Sequence, residues 1–113
     1  MIIKKLNFEL DKQTVNGHIY QKEIFIPALE KSLEKGLFVY VNPEESNREA
    51  NIIGKVEKYT EANNQISLEI KEYGPNEYMT LTEYVSTGGF GDLDGNKITN
   101  YTLSFVFLTN DHI

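Results

Sequence analysis

The sequence predicts an α+β fold, mostly β: a small barrel of about six or seven strands with one main helix. Three observations lead there. Apolar residues recur with a period near two over most of the chain, as in half-buried strands. One stretch alone carries a helical face, with Ile26, Leu29 and Leu33 at i, i+3 and i+7. Turn dipeptides such as Asn16-Gly17 and Asp94-Gly95 separate the apolar runs.

Residues 2–10 alternate, with Ile3, Lys5, Asn7 and Glu9 on one side and Ile2, Leu6, Phe8 and Leu10 on the other. That pattern predicts a strand with one wet face. A polar turn follows and ends at Asn16-Gly17. The helix is expected to begin near Pro27, because proline suits a first turn and disrupts a helix interior. Gly36 is placed to cap it, and Ala28 lies beside its apolar face.

Residues 37–41 form a continuous apolar run and predict a buried strand. Residues 42–49 read as a polar loop containing Pro43. Residues 52–59 and 65–72 predict a hairpin around Glu61-Ala62-Asn63-Asn64, with Ile66, Leu68 and Ile70 on one face. Gly74-Pro75-Asn76 breaks the chain. Residues 79–85 fit a short helix or a strand. Gly88, Gly89 and Gly91 imply a bulge or a close backbone approach. Residues 98–108 predict the last strand, with Tyr101, Leu103, Phe105 and Phe107 on one face, and residues 111–113 a frayed tail. The two terminal strands are the expected sheet edges and hence the expected binding elements.

Composition narrows the functions. The chain has 113 residues, is 40% hydrophobic and has no cysteine. A single domain of this size buries roughly 65% of the surface its unfolded form exposes. Disulfides, thiolate zinc sites and cysteine nucleophiles are excluded, which suits a reducing compartment. The net charge is −6 and Arg48 is the only arginine, so nucleic acid and anionic membrane are poor partners. No leader or membrane-spanning run is visible, so the chain is expected to remain where it is made.

No catalytic set is complete. His18 and His112 are the only histidines, and neither sits in a motif with a serine. Ser86 lies before glycines that can turn backbone N–H groups toward an oxyanion. Asp92, Asp94 and Asn96 resemble the first part of a calcium loop but lack the distal glutamate, so a hairpin turn is expected and no metal. Glu44, Glu45, Glu57, Glu69 and Glu72 are scattered and read as solvated surface. No phosphate loop follows Gly91, and no cofactor is implied.

Four motifs, taken in order, resemble the prohead maturation proteases of tailed phages. Asn16-Gly17-His18-Ile19-Tyr20-Gln21-Lys22-Glu23-Ile24 looks like that family's NGRIYPKEV opening. Ile52-Ile53-Gly54-Lys55-Val56 and Gln65-Ile66-Ser67-Leu68-Glu69-Ile70 are similar to its central strand pair. Tyr84-Val85-Ser86-Thr87-Gly88-Gly89-Phe90-Gly91 resembles its GVSSRGxG stretch, and Asn100-Tyr101-Thr102-Leu103-Ser104-Phe105-Val106-Phe107 the strand that follows. The resemblance implies a prohead/herpesvirus-protease-like β-barrel. It also implies which groups are missing. Val41-Asn42-Pro43 stands where the family has a histidine, no histidine occurs near Ala50 and Asn51, and Ser86 occupies the nucleophile position without a base. A serine without a base is a weak nucleophile.

The expectation is therefore a protein that is not an enzyme, with Ser86 a relic. It is expected in the virion, and in the host cytoplasm during assembly, as an auxiliary or decoration-type capsid component. Its expected partner is the major capsid protein, and homo-oligomerisation is left open. Two alternatives remain: a serine protease using Ser86 with His18, and a cytoplasmic protein-binding module unrelated to phage particles.

Overall fold

The computed structural model describes residues Met1–Ile113 and shows a closed six-stranded barrel with one strand added outside it. The elements are β1 (Ile2–Leu6), β2 (Ile19–Tyr20), α1 (Lys22–Lys35), β3 (Leu37–Tyr40), β4 (Gly54–Ala62), β5 (Gln65–Glu72), α2 (Glu77–Leu81), β6 (Tyr84–Asp94) and β7 (Lys97–Thr109). Around the barrel the order is β7-β3-β4-β5-β1-β6, closed by β6 pairing with β7. β2 lies outside, parallel to the start of β7. The mostly-β α+β class read from the sequence is the class observed.

The first strand is shorter than its alternation suggests. The Asn7 N–H donates to the Val85 carbonyl at 2.9 Å, and there the chain leaves the sheet. Leu6, Phe8 and Leu10 are all buried nonetheless, so the period reported burial and not strand length. Asn7, expected on the wet face, is buried and holds the C-terminal segment. Its side-chain amide donates to the Asp111 carbonyl, and its own carbonyl accepts from the Ile113 N–H at 2.7 Å. The tail expected to fray is tied down.

α1 begins five residues before Pro27. Its first free N–H, that of Lys22, donates to the Asp11 carboxylate at 2.8 Å, a cap supplied from eleven residues upstream. Phe25 in the first turn is fully buried and stacks on Tyr101, with ring centroids 5.7 Å apart. That burial, worth about 2–3 kcal/mol, offsets the cost of the interior proline. The fully buried residues are Phe25, Leu29 and Ser32; of the expected face, Leu29 is among them, and Ile26 and Leu33 are partly buried and pack against the same core.

α1 also satisfies a backbone demand. β7 pairs with β2 at Lys97 and Ile98 and with β3 at Val106 and Phe107, and no strand borders it in between. The Gln21 side-chain amide donates to the Ile98 carbonyl, and the buried Ser32 hydroxyl to that of Leu103. The helix connecting β2 to β3 thus covers the gap between them.

Turn chemistry matches the sequence. The β4–β5 hairpin closes through Asn63 and Asn64, both at positive φ, as the two-residue loop with matching twist requires. Residues 77–81 settle the helix-or-strand ambiguity as one helical turn, capped by the Asn76 side chain, and Val85 belongs to β6. The polar loop after β3 forms two short 3₁₀ turns.

The last strand does not keep one face. The ladder between β6 and β7 shifts between Gly88 and Gly89 and again between Asp92 and Leu93, leaving Ser104 and Thr99 of β7 without partners. Each bulge inverts the alternation. Tyr101 and Leu103 pack toward the core before the Ser104 bulge, and Val106 and Leu108 after it. Phe105 and Phe107 go to the opposite face, where the Phe105 ring meets Tyr40 edge-on. Gly88 has no side chain because the Phe105 ring occupies that space, and at Gly89 the Thr102 carbonyl and Tyr101 ring do so. The close approach expected at this glycine cluster is present.

Gly88→Ala is expected to cost about 1–3 kcal/mol by displacing the Phe105 ring. In a Phe105→Ala background the same change is expected to cost almost nothing, whereas Gly89→Ala stays costly because backbone opposes it. Urea denaturation of the four-member cycle measures the difference.

Candidate functional site

Val85 is fully buried in the barrel core, so strand alternation puts Ser86 on the other face of β6. Ser86 is 9% exposed and stands opposite Phe107 in the ladder. The ring of His112 packs edge-on against Tyr84, with centroids 5.3 Å apart. His18 lies elsewhere, in a cleft on the face to which Thr87 points. Ser86, the serine of the protease alternative, does not line that cleft, and no hydrogen bond joins it to His18.

The positions where the resemblance expects histidines have local structural roles. The Asn42 side chain accepts the Glu45 N–H at 3.2 Å and caps the first 3₁₀ turn. The Asn51 side-chain amide donates to the Glu45 carbonyl at 3.2 Å and joins the two turns. Arg48 lies between these turns and is exposed.

Asp92, Asp94 and Asn96 lie in and beside the β6–β7 hairpin turn, which closes through Gly95 and Asn96. Asp92 accepts from the Asn100 side chain at 3.3 Å. The scattered glutamates stay scattered. Glu69 pairs with Lys58 at 3.5 Å, Glu72 lies near the buried Lys4, and Glu44, Glu45 and Glu57 are exposed. Lys4 donates to the Thr82 carbonyl; burial pushes its pKa down, and the Glu72 carboxylate opposes that.

The fold does gather another group. Tyr20 of β2, Tyr101 and Ile98 of β7, Thr87 with the glycine stretch of β6, and His18 line a cleft of about 200 Å³. The Tyr101 hydroxyl donates to the Thr87 hydroxyl oxygen at 3.2 Å. Burial pushes the Tyr101 pKa up to about 12, against the lowering effect of the Thr87 hydrogen bond. Burial raises that of Tyr20 as well. Both phenols are therefore neutral at physiological pH. They present hydroxyls on an apolar floor and supply no phenolate base, an arrangement suited to orienting a bound group.

Tyr20, Thr87 and Tyr101 were not singled out by sequence reasoning. Counting back from the Gly95-Asn96 turn without bulges puts Ser104 opposite Thr87, whereas the observed partner is Val106. The two extra residues in β7 conceal the register that builds the cleft.

Comparisons of the chain with protein-family models, with curated proteins and with solved structures give no match.

The neutral phenols make alkaline stability informative. Their folded pKa values lie above the unfolded value of about 10. The stability they contribute is fully present below pH 10 and is lost as pH rises through their folded values, which for Tyr101 is about 12. Tyr101→Phe is expected to flatten that loss by on the order of 1–2 kcal/mol between those pH values. Urea midpoints across the alkaline range, with ultraviolet titration of the tyrosines, provide the check.

Proposed function

We propose that this chain is a non-enzymatic protein of a tailed-phage particle, an auxiliary or decoration-type capsid component that binds the major capsid protein. Two kinds of support meet. The ordered motif resemblance supplies the particle context. The observation that carries the non-catalytic part is the seclusion of Ser86, nearly buried on one face of β6 while His18 lines a cleft on the other. A hydroxyl without a base in reach is not activated for attack. Asn42 holds a loop cap in place of a catalytic imidazole.

What the surface offers is contact area. Phe90 and Leu93 are 69% and 50% exposed on the arm formed by β6 and β7. Large apolar side chains held out on a projecting hairpin suit a protein partner better than solvent. The chain would join the virion and reside in the host cytoplasm during assembly.

Peptide mass spectrometry of purified particles whose genome encodes the chain is expected to find it at a copy number comparable with the capsomers. Its absence from those particles overturns the reading. A second arm addresses chemistry: incubation with capsid and scaffold proteins is expected to leave both intact. Cleavage that Ser86→Ala abolishes would restore the protease alternative.

A further inference from the structure

The barrel closes every strand edge within it, but β6 is longer than the barrel. Its first two residues pair with β1 on one side, through Lys5–Tyr84 and Leu6–Val85. From there to Asp94 its only strand neighbour is β7. The Val85 carbonyl points to β1, where it accepts the Asn7 N–H. Backbone groups alternate sides along a strand, and both bulges lie in β7, so β6 keeps its phase. The N–H and C=O groups of Thr87, Gly89, Gly91 and Leu93 therefore face away from β7. No turn or loop hydrogen bond takes them up.

An open edge of this kind is a template for another strand, and monomeric proteins blunt it with lysine, proline or a covering element. This edge has none of the three. Two of its four outward-facing positions are Gly89 and Gly91, whose missing side chains would lie against the Thr102 and Asn100 carbonyls of β7, so neither puts a side chain beside the open edge. Phe90, Asp92 and Asp94 project on one face. Leu93 projects on the other, and the cleft floored by Tyr20, Tyr101 and Ile98 is bordered by Leu93 and also by Phe90 and Asp92. Between Ser86 and Asp94 there are two carboxylates and no cation, in a chain of net charge −6; Lys97 of β7 stands across the ladder from Asp94, which leaves Asp92 as the carboxylate without a cation opposite it.

We propose that the outer edge of β6, residues 87–93, binds an extended, basic segment of a partner protein by strand addition. Main-chain hydrogen bonds to Thr87, Gly89, Gly91 and Leu93 supply the register. One face of the added strand carries lysine or arginine against Asp92 and Asp94 and an apolar residue against Phe90. The other face carries apolar residues that cover Leu93 and reach the cleft. This is the division of labour between edge and pocket that strand-addition domains use. The charge argues against a second copy of this chain, whose own β6 would bring further carboxylates to the edge. The inference concerns how the edge recognises its partner and does not require that partner to be a capsid protein.

The probe is a blocked eight-residue peptide, Val-Lys-Val-Lys-Val-Phe-Val-Lys, titrated into the ¹⁵N-labelled chain. The expected result is amide shifts centred on Thr87, Gly89, Gly91 and Leu93. N-methylation of alternate peptide amides is expected to abolish binding in one of its two frames. Replacing the peptide lysines with glutamate should weaken binding by about tenfold or more, and Asp92→Asn with Asp94→Asn by about fivefold. Both aspartates are exposed, so that variant keeps the fold. Equal binding by both N-methylated frames, or shifts confined to other elements, overturns the proposal. So does concentration-dependent shifting of the same four amides without peptide, which assigns the edge to a second copy.

Discussion

The closure of the sheet by β6 against β7 is the interaction on which the remaining structure depends. β7 is the strand most others rely on: it pairs with β6 along eleven registered positions, with β3 at one end and with β2 at the other. Because β2 and β3 border β7 at separate places, α1 must fill the interval, and Gln21 and Ser32 supply the hydrogen bonds a strand would have made. Two bulges bend this hairpin enough to close a barrel and still send its far end past the barrel rim. The cleft and the open edge of β6 follow from that overhang. They lie where strands of 11 and 13 residues outlast their shorter neighbours.

The sequence revealed features set by local chemistry and concealed those set by counting across strands. Asn63-Asn64 and Gly95 are turn residues because few others tolerate positive φ, and the hairpins fell where expected. Ile66, Leu68 and Ile70 share a buried face as their spacing says. Pro27 misled because its local penalty is visible in sequence, whereas the burial of Phe25 and the Asp11 cap are tertiary. Phe105 and Phe107 misled because a bulge at Ser104 leaves no mark in an apolar run. The terminal strands are not edges. β1 lies between β5 and β6, and β7 borders three strands. An edge is a property of the whole sheet, and no window of sequence contains it.

The candidate site shows the same division. Ser86 is expected from the sequence to lack a base, and in the fold it lies on the face of β6 opposite Val85, while His18 lines the cleft that Thr87 also lines. What sequence could not assemble was the Tyr20–Thr87–Tyr101 group, drawn from three strands. Burial raises the pKa of those phenols further above neutrality, and the glycines beside them keep the backbone bare. A neutral, hydroxyl-lined cleft lies next to the stretch of β6 whose outer side no strand pairs.

Amide hydrogen exchange on the dilute, isolated chain tests the central claim directly, because alternate residues of β6 face different environments. The account predicts that the amides of Gly88, Phe90 and Asp92, which face β7, are protected. Those of Gly89, Gly91 and Leu93 are expected to exchange at rates near those of exposed loops. Uniform protection along residues 88–93 would show that the edge is already covered. Uniformly fast exchange would show that the arm does not form, and either result contradicts the account.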